Sequence, residues 1–199
     1  MFAEALVRCT VGIVDLSPAQ VELLRSHFEL LVRWNESLNL TRVTSVEAAV
    51  ERHYAESLFL AKHMPPVQLR IVDIGSGPGF PGYPVAVLRP DCSVTLVESH
   101  QRKAVFLKEA ARLLPNVQVL AQRAESVLEK FDLVISRAVS YEDLIEPLRK
   151  LSSSAALLTG VEVPPSKLRF DWEEPIPLPW GKQRFLRLGT GSRSGSCFT

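Results

Sequence analysis

Asp73-Ile74-Gly75-Ser76-Gly77-Pro78-Gly79-Phe80-Pro81-Gly82 is the stretch whose reading decides the fold. It leaves the apolar run Ile71-Val72 and turns through four glycines, so the backbone can approach a ligand where a Cβ would clash. Downstream the pattern repeats. Arg70 to Gly75, Ser93 to Ser99, Val117 to Ala124 and Asp132 to Ala138 are short runs rich in Val, Ile and Leu, which read as buried parallel strands. Between them lie helical stretches, of which Arg102 to Leu114 places Val105, Phe106, Ala110 and Leu113 on one apolar side. Strand and helix alternate, which predicts an α/β, Rossmann-like, doubly wound and mostly parallel sheet. A helix from Tyr141 to Leu151 and strands at Ala155 to Val161 and Arg184 to Leu188 complete it, with a proline-rich loop carrying one irregular edge between the last two.

Upstream, Ser17-Pro18-Ala19-Gln20 offers an N-cap hydroxyl, a first-turn proline and a capping-box glutamine ahead of Val21, Leu24, Phe28 and Leu31. That is an amphipathic helix, running into Trp34-Asn35-Glu36-Ser37-Leu38-Asn39-Leu40-Thr41. A second capping box, Thr44 with Glu47, opens a helix through Val50, Tyr54 and Leu58 that Pro65-Pro66 ends. The expected organisation is one structural domain: a helical cap over residues 1–66, a core over 67–190 and a disordered tail over 191–199, with Gly189 to Thr199 rich in Gly and Ser.

The 199 residues are 46% hydrophobic, enough for a full core. The 23 Lys and Arg against 22 acids leave no global bias toward a polyanion, so any nucleic-acid surface must be local. The best candidate is Ser99 to Arg123, where Arg102, Lys103, Lys108, Arg112 and Arg123 face only Glu109; a solvated helix face is the plain alternative. Cys9, Cys92 and Cys197 are odd in number and widely spaced, which argues against a disulfide framework and against a zinc site. No apolar run approaches the roughly 18 residues of a membrane span. These features together predict a cytoplasmic protein, monomeric, with no membrane contact and no metal.

Taken alone the turn is ambiguous. Gly77, Gly79 and Gly82 satisfy the dinucleotide pattern G-x-G-x-x-G, with Glu98 following as a ribose acceptor, so a dehydrogenase has to be weighed. Three features favour S-adenosylmethionine instead. Asp73 precedes the first glycine by two residues, where its carboxylate can meet a cationic amino acid end. Pro78 and Pro81 stiffen the turn, and Pro81 lacks an N–H that a pyrophosphate would want. The chain also leaves little length for a second nucleotide-binding half with a substrate domain. Gly75, Gly77, Gly79 and Phe80 belong to this turn. Glu98 ends the second strand, where the ribose hydroxyls need an acceptor, a helix-start acid being the plain alternative, and Ala124-Glu125 follow the third, at the depth of an adenine ring. Arg123 and Arg137 each end a strand of small or apolar residues, facing a ligand crevice or pairing with a structural carboxylate.

With these residues assembled, the chain resembles the bacterial ribosomal RNA small-subunit methyltransferase G family, also called glucose-inhibited division protein B. The resemblance rests on Trp34-Asn35 with Asn39-Leu40-Thr41, His53 with Ser57, Asp73 to Gly82, Glu98-Ser99 with Lys103 and Phe106-Leu107, Arg123-Ala124-Glu125, and Ile135-Ser136-Arg137-Ala138. It implies a class I S-adenosylmethionine methyltransferase fold and guanine-N7 methylation in 16S ribosomal RNA, free or within a ribonucleoprotein. It further implies that Gly75 and Phe80 contact the cofactor, that Ala124 and Glu125 hold the adenine side, and that Arg137 completes the cofactor or substrate pocket. Thr159-Gly160 departs from the family's Lys-Gly, and the proline-rich region after Val163 is short. A guanine ring nitrogen carries a free lone pair, so no catalytic base is expected, and Arg123 and Arg137 are candidates for positioning RNA. His53, beside Tyr54 on a helix, reads as a packing residue. Methylation of a small molecule or a protein, and a cofactor-binding module without activity, remain as alternatives.

Overall fold

The computed structural model describes residues 1–43 and 45–192. Its centre is an eight-stranded sheet in the order β3-β2-β1-β4-β5-β8-β6, with β7 paired to β8 on the same edge as β6. The strands are β1 (Arg70–Ile74), β2 (Ser93–Val97), β3 (Val117–Leu120), β4 (Leu133–Arg137), β5 (Ser154–Thr159), β6 (Phe170–Trp172), β7 (Ile176–Pro177) and β8 (Phe185–Gly191). The first five run parallel; β8 lies antiparallel against β5, as do β6 and β7 against β8. The order reverses between the parallel neighbours β1 and β4, whose following connections run to opposite faces of the sheet, and crevices open where such strands end.

Alternation along the strands divides the apolar residues between two faces. Ile71, Leu96, Leu133 and Ile135 join one cluster, to which the N-terminal helices contribute Leu6, Leu24, Leu31, Tyr54 and Leu58. Val72, Ile74, Val134, Ala155 and Leu157 form the other, covered by α7 (Tyr141–Leu151) through Leu144, Leu148 and Leu151. The first face also receives α5 (Gly82–Leu88) and α6 (Gln101–Ala110). Within α6 the buried side chains are Ala104, Phe106, Leu107 and Ala110. Val105 and Leu113, expected on the apolar side, are exposed: at about 100° per residue Val105 falls opposite the buried stripe, and Leu113 belongs to a 3-10 turn over Ala111–Leu113 that rotates it away.

The cap begins with α1 (Phe2–Thr10), which the sequence reading did not identify, followed by α2 (Pro18–Leu38). The capping box at Ser17 and Gln20 is formed in both directions, and Asn39 closes α2 in the left-handed conformation that asparagine tolerates. The next helix is capped by Ser45, whose hydroxyl accepts from Ala48 N–H, one residue later than the expected Thr44, which lies outside the described residues. It is also not one regular helix. A short α3 (Val46–Ala49) passes through a π-helical segment (Val50–Ala55) into α4 (Glu56–Lys62). At the other end, β8 continues to Gly191 and Ser192 bonds to Arg169 and Asp171, so Gly189 to Gly191 are paired strand where a frayed tail was expected. Residues 193–199 of that expected tail, Cys197 among them, lie outside the described residues. No helix among the described residues is long and apolar enough to cross a membrane.

Candidate active site

The glycine turn is held by its backbone N–H groups, which bond to the turn itself, to the end of β2 and to two carboxylates. Gly75 and Ser76 donate their N–H groups to Val97 O, Gly79 and Phe80 donate to Ser76 O, and Gly77 donates to Glu98 Oε2 at 2.9 Å. Gly82 donates to Asp73 Oδ2, also at 2.9 Å. Pro78 and Pro81 have no N–H to give. Every N–H from Gly75 to Gly82 is therefore already spent inside the protein, and none is left to cradle a pyrophosphate. Gly75 adopts φ +70°, and a Cβ there would stand 2.6 Å from Val139 Cγ2, so this turn admits no other residue without movement. A Cβ on Gly82 would meet the Asp73 carboxylate at 2.7 Å, which explains why a glycine opens α5.

Two carboxylates back the turn. Asp73 is wholly buried; its Oδ1 has no hydrogen-bond partner, and burial pushes its carboxyl up to about 7 against the lowering influence of the Gly82 N–H. Glu98 takes the Gly77 N–H on one oxygen and His100 N–H on the other at 2.7 Å, tying the end of β2 to the turn. From the opposite side α2 supplies His27, unnoticed in the sequence although it sits on the buried stripe of Leu24 and Leu31. Its Nε2 is 3.0 Å from Pro78 O and its Nδ1 2.7 Å from the Tyr54 hydroxyl. Burial lowers His27 to about 3, so the neutral ring donates to Pro78 and accepts from Tyr54.

Two cavities flank Val139 at the carboxyl ends of the strands. The smaller, about 200 Å³, is lined by Gly75, Ser99, Gln122, Arg123, Ala124 and Glu125 among others. Gly75, Ala124, Glu125 and Arg123 thus come together there, whereas Asp73, Gly77, Gly79 and Glu98, expected at the same site, line neither cavity and are joined to it only through the turn. Phe80 lines neither cavity: it is buried, stacked on His53 at 4.7 Å between ring centres. Arg137 does not join the cofactor group but lines the second cavity, of about 500 Å³, together with Glu56, Tyr141 and Arg184. Between β4 and α7, Ala138 holds φ +58°, a left-handed backbone that costs a non-glycine residue energy and turns the chain across this cavity.

Arg137 is held by a relay from the cap. Its guanidinium donates to Arg52 O and, at 2.9 Å, to His53 Nδ1. His53 Nε2 lies 2.9 Å from Thr41 Oγ1, and Asn35 Oδ1 accepts Thr41 N–H at 2.8 Å. Burial, with Arg137 beside it, lowers His53 to about 3, which keeps the ring neutral and leaves Nδ1 as an acceptor. Asn35, Thr41 and His53 thus share a role in holding Arg137, which the expectation of a packing role for His53 does not include. Beside Arg137 stands Glu56, buried, with Oε2 3.8 Å from Arg137 Nη1 and Oε1 paired with Arg184 Nη1. No donor is aimed at Oε1 well enough to make a hydrogen bond, and burial pushes Glu56 up to about 7 although both arginines pull it down. Neither Glu56 nor Arg184 carried a signal in the sequence, because they meet only through the fold.

The description "rRNA small subunit methyltransferase G" belongs to the family whose profile matches residues 20–158. A ribosomal RNA small subunit methyltransferase G of Chromobacterium violaceum is 42% identical over 131 residues, 64% of this chain and 62% of its own length. The chain thus spans about three fifths of that relative. The protein of the same description from Mesoplasma florum is 37% identical over 184 residues, 85% of this chain and 77% of its own. Among solved structures, a methyltransferase from Pyrococcus furiosus superposes with a TM-score of 0.58 at 15% identity, covering 84% of this chain and 98% of its own, which speaks to the fold alone.

Proposed function

Since the chain belongs to the rRNA small subunit methyltransferase G family, we propose that it methylates a guanine N7 of 16S ribosomal RNA with S-adenosylmethionine as donor. The observation that carries the choice of donor is the turn whose N–H groups are all committed internally. A dinucleotide would find no amide for its phosphates. A cation is better served, because two carboxylates stand behind the turn and Asp73 Oδ1 has no hydrogen-bond partner. The residues present therefore fit S-adenosylmethionine. In this reading Asp73 faces its cationic amino acid end, Gly75, Gly77 and Gly79 let the backbone close on it, and Phe80 stiffens the turn from behind. Glu98 offers its remaining lone pairs to the ribose, and Ala124 with Glu125 frames the adenine.

When bound, S-adenosylmethionine supplies an electrophilic methyl group on a sulfonium. The protein's own contribution is position. Guanine N7 carries an unshared pair, so no proton has to leave before attack, and no residue is assigned as base. His53 could not serve as one here, since Nδ1 is engaged by Arg137 and Nε2 by Thr41. Alignment of two bound reactants alone can lower a barrier by roughly 7–11 kcal/mol. Val139, shared by both cavities, is where donor and acceptor would meet. Arg123, exposed at the mouth of the smaller cavity, and the basic stretch from Arg102 to Arg112 would receive the RNA backbone. In this reading the enzyme works in the cytoplasm, where its ribosomal substrate is, and acts as a monomer on RNA or on a ribonucleoprotein.

Calorimetric titration with S-adenosylmethionine and, separately, with reduced nicotinamide cofactor tests the donor. Tritium transfer to small ribosomal subunits then tests the acceptor. Binding of the first cofactor alone, followed by transfer to 16S RNA, is expected; nicotinamide binding, or transfer to protein in place of RNA, overturns the proposal.

A further inference from the structure

The larger cavity holds a combination that the methyl donor does not use. Its volume of about 500 Å³ falls among small-molecule sites, which run from roughly 300 to 1,000 Å³. Its walls are apolar at Leu157, Leu178 and Val161 and aromatic at Tyr141, a surface on which a flat ring can lie. At one side stand a guanidinium and a carboxylate as neighbours. Arg137 has five N–H donors and spends two of them on Arg52 O and His53 Nδ1. Glu56 is 2% exposed and touches the cavity; its Oε1 is held in an ion pair by Arg184, while its Oε2, 3.8 Å from Arg137 Nη1, takes part in no hydrogen bond among the described residues.

We propose that Arg137 and Glu56 together read the base to be methylated, the guanidinium donating to guanine O6 and the carboxylate accepting from N1–H and the N2 amino group. The pairing is forced by the order of groups along the edge of each base. Guanine presents acceptor, donor, donor in a row, which matches an Arg N–H followed by a carboxylate oxygen whose two lone pairs can take both donors. Adenine presents a donor and then an acceptor, which sets its amino group against the guanidinium and its ring nitrogen against the carboxylate. Enzymes that act on an extruded base commonly read this edge. N7 lies outside it and stays free to attack. This inference rests on the guanine reading above, and it gives Arg184 a supporting role. Paired with Glu56 and Glu51, Arg184 holds the carboxylate in the cavity wall from the β7–β8 side. A buried Arg-Glu-Arg arrangement can also be purely structural, and base discrimination separates the two.

The test uses ligand-observed NMR on the whole protein, saturated with S-adenosylhomocysteine, with guanosine, inosine and adenosine monophosphates as probes. Inosine differs from guanosine only by the missing N2 amino group. A lost hydrogen bond to a charged acceptor is worth roughly 1.5–3 kcal/mol, so guanosine should outbind inosine about tenfold or more, and adenosine should be weakest. Glu56→Gln should erase the preference for guanosine over inosine. It should also lower methyl transfer to small subunits while leaving S-adenosylmethionine affinity within about twofold. Absence of guanosine binding, equal binding of guanosine and inosine to the wild type, or an unchanged preference in Glu56→Gln overturns the inference. Should Glu56→Gln fail to fold, the wild-type comparison decides by itself. If the wild type methylates RNA yet shows no base preference, only this inference falls; if it neither binds S-adenosylmethionine nor methylates, the proposed function falls with it.

Discussion

The two cavities on either side of Val139 are made by opposite means. The smaller is formed by backbone close to the strand ends: a ten-residue turn with its amides satisfied internally, and short segments after β2 and β3. The larger is formed by side chains that arrive from far apart in the chain, Glu56 from α4, Arg137 from β4, Tyr141 from α7 and Arg184 from just before β8. A site of the first kind tolerates no added atom at its critical backbone positions but asks little of distant residues. A site of the second kind has spare volume and depends on a few buried charges. Substitutions in the two should therefore fail differently.

The largest effect is expected at Gly75. Alanine there must accept a left-handed backbone, at about 1–2 kcal/mol, and press on Val139 Cγ2, with overpacking costing about 1–3 kcal/mol. Gly75→Ala should lose stability in urea unfolding and lose S-adenosylmethionine binding in calorimetry by well over tenfold. Tight binding by Gly75→Ala would break the contrast, since the smaller cavity would then be as forgiving as the larger.

Next comes Asp73, whose carboxyl burial raises to about 7. The folded protein then holds this proton more tightly than the unfolded chain, where an aspartate titrates near 3.9. Stability from this group is complete below about pH 4, falls as pH rises toward 7, and is level above. Asp73→Asn should remove that decline, so its stability relative to wild type should improve between pH 5 and pH 8 by up to a few kcal/mol. Glu56 contributes a similar decline to both proteins and cancels in the difference. Parallel pH profiles in urea unfolding would show that Asp73 is charged throughout and already compensated.

This contrast also explains what could be read beforehand. The parallel strands, the turn, the Ser17 cap and the grouping of Gly75 with Ala124 and Glu125 were all legible, because each is written within a few residues by spacing, turn chemistry or apolar runs. Arg137 is visible as an unusual arginine at a strand end, but its neighbours are not, so the sequence leaves it between the cofactor and the substrate pocket. Glu56, Arg184 and the Asn35-Thr41-His53 relay meet only across the cap and the sheet, and no local pattern announces them. The π-helical segment that carries His53 was missed for the same reason. Its apolar spacing looks like an ordinary helix, and the extra residue per turn shows only in the backbone.

A smaller effect tests the relay. His53→Phe keeps a ring against Phe80 but removes the acceptor for Arg137. Methyl transfer to small subunits should fall about tenfold, in line with one hydrogen bond to a charged group, while S-adenosylmethionine affinity stays within about twofold. His53→Gln, which restores an acceptor, should recover part of the loss. Equal damage in both variants would make His53 a packing residue after all.

The smallest effect is expected at Arg123, and it tests where the boundary between the two sites runs. Arg123 lines the smaller cavity yet is exposed and makes no ion pair among the described residues. If it contacts a phosphate of the RNA, Arg123→Ala should leave S-adenosylmethionine binding unchanged and weaken RNA binding by a few fold. The slope of log affinity against log salt should then fall by about one, as for a single lost phosphate contact. The salt slope matters more than the affinity, because a side chain that only shapes the cavity would weaken binding without altering how many counterions are released. A loss confined to S-adenosylmethionine, with the RNA salt slope intact, would instead assign Arg123 to the donor. The RNA surface would then have to begin beyond it, on the basic face of α6.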